Sequence, residues 1–406
     1  MSSANTLSTL NGFFKEKYAD KLQVLIPDGV KLLNKIDFAS KNKQPGNFYH
    51  QPVVLGLEHG VTFASSEDDA FNLSGAVAGQ IKDATVKGNQ MVLRSLLGYA
   101  SASRAAGGGE RAFDDALKFL VANMMRSASK KLEIEMLYGQ VGYGVVASTA
   151  ANVITIATAE WAPGIWAGGE KMPIDIYNAA GTTFRGSANI ASVDMDARSI
   201  TVDSLPAGVI ATDVIWHKGA FGKEFAGIHK IITNTSTLFG IDASQYNLWK
   251  GNTFSAGSSA LSFAKILDGI ARAVEKGLED DVMVMVNPRA WSDLLSEQAA
   301  LRMYDSSYSS SKSENGSKSI MFFGQNGSIE VVPSIYVKEG YAYTLYLDEF
   351  FRIGSTDLTF RRPGQGDEFF RDVENSAAYE LRLYTDQALF CHSPGKNVLT
   401  NDIVNS

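Results

Sequence analysis

The sequence predicts an α+β fold, in which a long helix, a run of strands and an α/β stretch follow one another along the chain. Three observations carry that reading. Residues 111–138 hold no Gly or Pro and place Phe113, Leu117, Leu120, Met124, Ala128, Leu132 and Met136 at steps of three or four, the period of one helix face. Residues 151–232 are short β-rich runs (VITIA, MPIDIYN, SITVDS) broken by turn-formers such as Ala162-Pro163-Gly164 and Pro206-Ala207-Gly208. Residues 282–286, VMVMV, have the length of a buried strand, and Asn287-Pro288 behind them opens a helix with Asn as cap and Pro at the first position.

In chain order, residues 1–47 mix short apolar clusters with Lys, Asp, Pro and Gly and read as an arm with one or two short helices. Residues 48–64 read as extended chain, with Val53, Leu55, Leu57, Val61 and Phe63 at odd positions around Gly56 and Gly60. Glu67, Asp68 and Asp69 mark an acidic turn, and residues 72–98 return with few large apolar side chains for their length. Such an out-and-back excursion cannot bury itself; it reads as an arm whose partner lies on another chain, or else as a solvated hairpin. The helix of 111–138 follows a triple glycine, Gly107 to Gly109, read as a hinge, and would be ~42 Å long. Asp114 and Asp115 suit its first turn, Gly139 its end, and one amphipathic helix lying across a sheet is expected. Coiled-coil heptads are disfavoured, because they would place Ser127 and Lys131 in the seam.

Residues 151–232 read as a small β-barrel or sandwich inserted in the body. A helix is expected over 261–277, with Gly277 as its stop, and a serine-rich loop over 305–319. Gln325-Asn326-Gly327 between MFFG and SIEVVP signals a hairpin, since Asn-Gly suits a turn at positive φ. FRIGS and LTFRRPG follow as strands, then one long run over 377–391, after which Ser393-Pro394-Gly395 leaves a short polar tail.

The composition excludes several classes. The chain has 406 residues, 45% hydrophobic and 20% charged, enough to bury a large core in two or three domains. Its formal charge of −7 comes with no basic run, which argues against gripping nucleic acid as the main task. The one cysteine, Cys391, allows no internal disulfide and fits a reducing compartment. Residues 1–12 are polar, without a secretion signal, and no run is apolar enough to span a membrane. Chemistry is equally thin. His50, His59, His217, His229 and His392 show no metal spacing, and there is no nucleophile elbow, Walker loop or dinucleotide fingerprint. Asp194 and Asp196 lack EF-hand spacing and read as a turn. Arg361-Arg362 is a candidate contact to a neighbouring subunit's carboxylates, to phosphate, or to a local partner. No enzyme, cofactor or metal is indicated.

The order of elements, with ALKFLVANMMRSASKKLEIEMLYG (116–139), MVMVNPRAW (283–291) and GSIEVVPSIYVKEGYAY through LTFRRPG (327–364), resembles the Hong Kong 97 fold of tailed-bacteriophage major capsid proteins. That resemblance implies an N-terminal arm at 1–47, an extended loop at 48–104 and a peripheral domain at 105–149 carrying the spine helix. It implies further a lineage-specific β insertion at 150–230, an axial domain at 231–319, and closing strands of both domains at 320–406. Phe113, Leu117, Leu120, Met124, Leu132 and Met136 would then pack the spine helix. Glu67, Asp68, Asp69, Arg361 and Arg362 would be candidate inter-subunit contacts. The implied function is self-assembly into hexamers and pentamers of an icosahedral head around double-stranded DNA, bound without sequence specificity and away from membranes. The implied location is the virion, after synthesis in the host cytoplasm. Portal, a separate scaffolding protein (no charged heptad leader is present) and a decoration protein are the further partners implied. An encapsulin-like compartment and a β-rich hydrolase with a site built from distant carboxylates are the alternatives.

Overall fold

The computed structural model describes residues 29–38, 46–68, 70–98, 110–303, 320–361, 371–372 and 378–405, without the side chains of 110–119, 298–303 and 371–372. Residues 107–109 and 305–319, read above as a hinge and a loop, lie outside them.

The long helix runs Glu110–Tyr138. Its middle crosses a sheet: Met124 and Ala128 pack on Leu381 and Leu383, with Leu120 half-buried at the same contact. That sheet pairs Ala378–Cys391 with Asn89–Gly98 along one edge and, along the other, with Phe350–Thr359 and then Arg371–Asp372. Phe350–Thr359 is one strand with irregular register near Gly354, where FRIGS and LTFRRPG suggested two. From Leu132 to Gly139 every residue is buried, so the C-terminal part of the helix is surrounded rather than one-faced. Gly139 does not supply the left-handed cap. Gln140 does, at φ 65°, while Gly139 lets the chain at Phe225 approach: a Cβ there would stand 2.2 Å from the Phe225 carbonyl oxygen.

A second sheet has six strands in the order Asn252–Ser259, Val398–Ile403, Ala342–Leu345, Val282–Val286, Gly327–Pro333, Ile320–Gly324. VMVMV sits inside it, and its alternation divides two cores. Val282, Val284 and Val286 face a cluster with Ile266, Ile270 and Leu294 of helices Phe263–Val274 and Pro288–Met303; Met283 and Met285 join the main core with the end of the long helix. A strand buried on both faces has no reason to alternate polar with apolar. Asn287 caps its helix by accepting from the Arg289 N–H at 2.9 Å. One expectation fails here, and one holds with a shifted detail: the hairpin at 325–327 is present. Residues 398–403, read as a polar tail, form an inner strand, because six residues with polar Thr400, Asn401 and Asp402 carry too weak a pattern to register. The hairpin turn is Gln325-Asn326, between the paired Gly324 and Gly327; the positive φ, 135°, belongs to Gly327, and buried Asn326 instead donates to the Asp280 carbonyl at 2.8 Å.

Six strands close a barrel: Gly144–Ala150, Val153–Ile156, Ser199–Val202, Phe184–Asp194, Pro173–Tyr177 and Val214–His217. It starts six residues before the expected boundary at 150, since Gly144–Ala150 is its first strand. Val146, Ile154, Ile156, Ile174, Ile176, Ile190, Ile200 and Ile215 fill it, leaving side chains where a small barrel would otherwise have a lumen. Asp194 takes the N–H groups of Asp196 and Ala197 at 3.0 and 2.9 Å, a plain Asx turn.

Candidate assembly interface

Residues 49–86 form the excursion expected from the sequence. Strand Tyr49–Gly56 pairs antiparallel with Gln80–Val86, and the pairing continues outward through His59 N–H to the Val77 carbonyl at 3.0 Å. Its base is rooted: Ala84 and Val86 are buried, and the Thr85 N–H reaches the Phe239 carbonyl at 2.9 Å. Beyond it, every described residue from 57 to 78 is exposed except half-buried Thr62. Phe63 is 91% exposed and Leu73 80%, and Leu57, Val61, Phe71 and Val77 are exposed with them. Each such side chain forgoes roughly 1.5–3 kcal/mol of burial, and a contiguous apolar surface of this kind marks a site of association. The alternation of Val53, Leu55 and Leu57 was legible; that the arm carries this much bare apolar surface was not, since nothing in the sequence says which strands lack a cover.

The turn at the far end is held by Asp68, which accepts the Ser65 N–H at 2.9 Å, and Glu67 is exposed beside it; Asp69 lies outside the described residues. Arg361 is exposed at the end of strand Phe350–Thr359, its N–H bonded to Thr359 Oγ1 at 3.1 Å, and Arg362 lies outside the described residues. The acidic turn and Arg361 therefore stand on different elements. Of the helix residues singled out, Met124, Leu132 and Met136 are buried and Leu120 is half-buried; the side chains of Phe113 and Leu117 lie outside the described set.

Three polar anchors fix what the arm projects from. Residues 29–38, read as part of an N-terminal arm with short helices, carry helix Leu32–Lys35 and are docked on the long helix. Glu133, fully buried, takes the N–H groups of Lys31, Leu32 and Leu33, each at 2.9 Å, and so caps the short helix Leu32–Lys35 from another element. Burial pushes the Glu133 carboxyl up, against the pull of those three N–H groups and Lys31. The second anchor is Lys338, 1% exposed, whose ammonium meets Glu160 at 2.6 Å, the Gly142 carbonyl at 3.1 Å and the Tyr138 ring. Burial would raise Glu160, but Lys338 and the hydroxyl of Tyr341 outweigh it and hold the carboxyl low. Nearby His229, on Tyr343 at 2.8 Å, is driven to about 4 by burial and by Lys338, so it is neutral at pH 7. The third anchor, Arg198 on Glu339 at 3.0 and 2.9 Å, clamps the barrel to the same loop.

Beside the long helix, between strand Asn89–Gly98 and the barrel, lies a cleft of about 570 Å³. Met91, Leu93, Ile134, Ile165, Met172 and Tyr336 give it an apolar floor, and its lining carries six cationic side chains against three glutamates. Two of those glutamates are beneath the floor: Lys131 bonds the Tyr143 hydroxyl and lies 3.4 Å from Glu224, and Glu135 takes the Phe225 N–H at 3.1 Å. Burial, reinforced by Glu224, pushes Glu135 up to about 8. This cleft was not foreseen, because its residues come from five separate stretches of chain. Among the described residues no group of three His, Cys, Asp or Glu converges as a metal site, and no helix is long and apolar enough to cross a membrane.

No protein-family model and no curated protein matches the chain. Solved structures do. The chain in the cyanophage A-1(L) capsid asymmetric unit superposes with a TM-score of 0.60 at 12% identity, over 98% of this chain and 99% of that one. The capsid chain of the native GTA particle gives 0.52 at 10% identity, over 99% and 100%, and that of the empty GTA particle 0.51 at 9%, over 99% and 100%. A likeness running end to end through helix, sheets and arm is a likeness of architecture, and the chain has the fold of tailed-phage capsid proteins, the Hong Kong 97 fold.

Proposed function

We propose that this chain is a major capsid protein, which self-assembles as hexamers and pentamers into an icosahedral head enclosing double-stranded DNA. The observation that carries the proposal is the arm: residues 57–78 expose Phe63, Leu73 and Leu57 on a hairpin rooted in the body, with nothing among the described residues to cover them. A surface that one copy cannot bury, repeated on every copy, is satisfied by heterologous contacts that close into rings. The fold shared end to end with chains of a cyanophage capsid and of a GTA particle capsid supports the same reading. A charge of −7 without a polybasic run suits a wall that encloses DNA without gripping it. In this reading the hairpin is the extended loop, the helix the spine of a peripheral domain, the six-stranded sheet the axial domain, and the barrel an insertion. The protein resides in the virion, acts without catalysis, and works with a portal, a separate scaffolding protein and a decoration protein.

The test replaces residues 60–76 by Asn-Gly, keeping the His59–Val77 pair, and compares variant and parent by sedimentation velocity and electron microscopy. The parent forms closed shells or capsomer rings, with scaffold co-expressed where needed; the variant stays a folded, soluble subunit. Shells of normal yield from the variant overturn the assignment of the arm. Nucleic acid inside native particles separates a phage head from an encapsulin-like compartment, which would hold protein.

A further inference from the structure

The cleft beside the long helix carries a charge opposite to that of the chain around it. On a protein of net charge −7, its lining holds Arg126, Lys130, Lys131, Lys171, Lys218 and Lys223 against three glutamates, and burial leaves one of these, Glu135, protonated at pH 7. Lys171, Lys218 and Lys223 are exposed on the rim and make no ion pair among the described residues. Burial draws the Lys130 ammonium down to about 8, and an anion beside it would restore its charge. Below the rim Met91, Leu93 and Met172 are only half-buried, so apolar surface faces the opening.

At the bottom lies Glu224, 5% exposed. Its Oε1 is 3.4 Å from the Lys131 ammonium, while its Oε2, also buried, has no hydrogen-bond partner among the described residues. An N–H or O–H donor entering the cleft would satisfy that acceptor. The walls are fixed in advance. The loop of residues 217–224 is fastened by the Gly219 N–H, which donates to buried Asp175 at 2.8 Å, and by the carbonyls of Lys223 and Glu224, which accept from Asn89 at 2.6 Å and Gln140 at 3.1 Å. A preformed volume of about 570 Å³ falls within the roughly 300–1,000 Å³ of small-molecule sites, which also combine an apolar lining with a few placed polar groups.

We infer that this cleft binds a small anionic aromatic molecule. Its carboxylate, sulfate or phosphate meets the lysine rim, its flat apolar body lies on Met91, Leu93 and Met172, and one N–H or O–H donates to Glu224 Oε2. Methionine sulfurs pack favourably against rings, and Tyr143 and Tyr336 in the lining add to the preference for a ring over an acyl chain. The site goes beyond the assembly proposed above and does not depend on it.

Indole-3-butyrate has all three groups and serves as the probe. Indole-3-butanol lacks the charge, and 1-methylindole-3-butyrate lacks the donor. Calorimetric titration of the full-length, unassembled chain gives one saturable site for indole-3-butyrate, with weaker binding of both relatives. K171E/K218E/K223E weakens the acid about tenfold or more and leaves the alcohol unchanged, as expected for a charge contact. Ser127→Trp replaces an exposed helix residue on the cleft wall, fills the opening and abolishes binding, while the melting curve without probe stays that of the parent. An alcohol or a methylated acid that binds as tightly as the probe, a rim variant of parental affinity, or unchanged binding to S127W overturns the inference. So does the absence of saturable binding at millimolar probe. None of these outcomes bears on whether the chain forms shells, which is read separately by electron microscopy.

Discussion

Glu133 offers the sharpest test of how the body is held together. Glu133→Ala removes the acceptor from three N–H groups, each 2.9 Å away, at the start of helix Leu32–Lys35. Hydrogen bonds to a charged group contribute about 1.5–3 kcal/mol each, which would suggest a loss of up to about 9 kcal/mol if they were independent and dry. Two corrections shrink that figure. Lys31 and Leu33 are only half-buried, so water replaces part of what their N–H groups lose, whereas Leu32 is sealed. Burial already opposes the charge on Glu133, so deleting it recovers part of its desolvation cost. The net loss is about 2–4 kcal/mol, concentrated on 29–38. Denaturant unfolding gives the global value, and amide exchange at Leu32 and Leu33 the local one. Glu133→Gln, which keeps one oxygen acceptor, falls between. A loss under about 1 kcal/mol with unchanged exchange would refute the claim that this carboxylate docks the segment.

Other substitutions probe the remaining features. Gly139→Ala places a better helix former at the end of the helix yet destabilises by more than about 2 kcal/mol, because its Cβ would strike the Phe225 carbonyl; an unchanged melting temperature would remove the close-approach argument. Lys338→Met leaves half-buried Glu160 without its cation and costs about 2–4 kcal/mol, and adding Glu160→Gln returns part of it in chemical denaturation. Glu135, at about 8 when folded, keeps a proton that the unfolded chain has released above its ordinary value near 4.5. Its contribution is therefore complete at low pH and is lost as pH rises through that window to about 8. Glu135→Gln does not titrate, so the variant gains melting temperature relative to the parent between pH 5 and 8. His217 and His229, both pushed to about 4, act in the opposite sense at lower pH but equally in both proteins; parallel curves would contradict the assignment.

What the sequence made legible is what depends on local period. The long helix, VMVMV with its Asn cap, and the turn-punctuated strands of the barrel follow from spacing and turn chemistry alone. What stayed hidden depends on partners far along the chain. Residues 398–403 look polar because Thr400 and Asn401 find their place only beside Ala342 and Ser255. Asn326 announces the hairpin turn it forms, but not that its amide also ties the turn to the Asp280 carbonyl. The cleft draws on 90–93, 123–143, 165–173, 217–224 and Tyr336, and no window of sequence shows that these lie together. The arm was foreseen as an arm because its alternation and its shortage of large apolar side chains over 72–98 are local properties.

The place of Val398–Ile403 bears on the timing of synthesis. It lies between Asn252–Ser259 and Ala342–Leu345, both made well before it, so until it emerges those two strands face an empty slot in the sheet. A nascent chain lacking only this segment has its arm, its helix and its barrel but an unfinished six-stranded sheet. That interval works as a delay: the body is complete only once this late strand has joined two much earlier ones, and any surface that depends on the finished sheet waits for it.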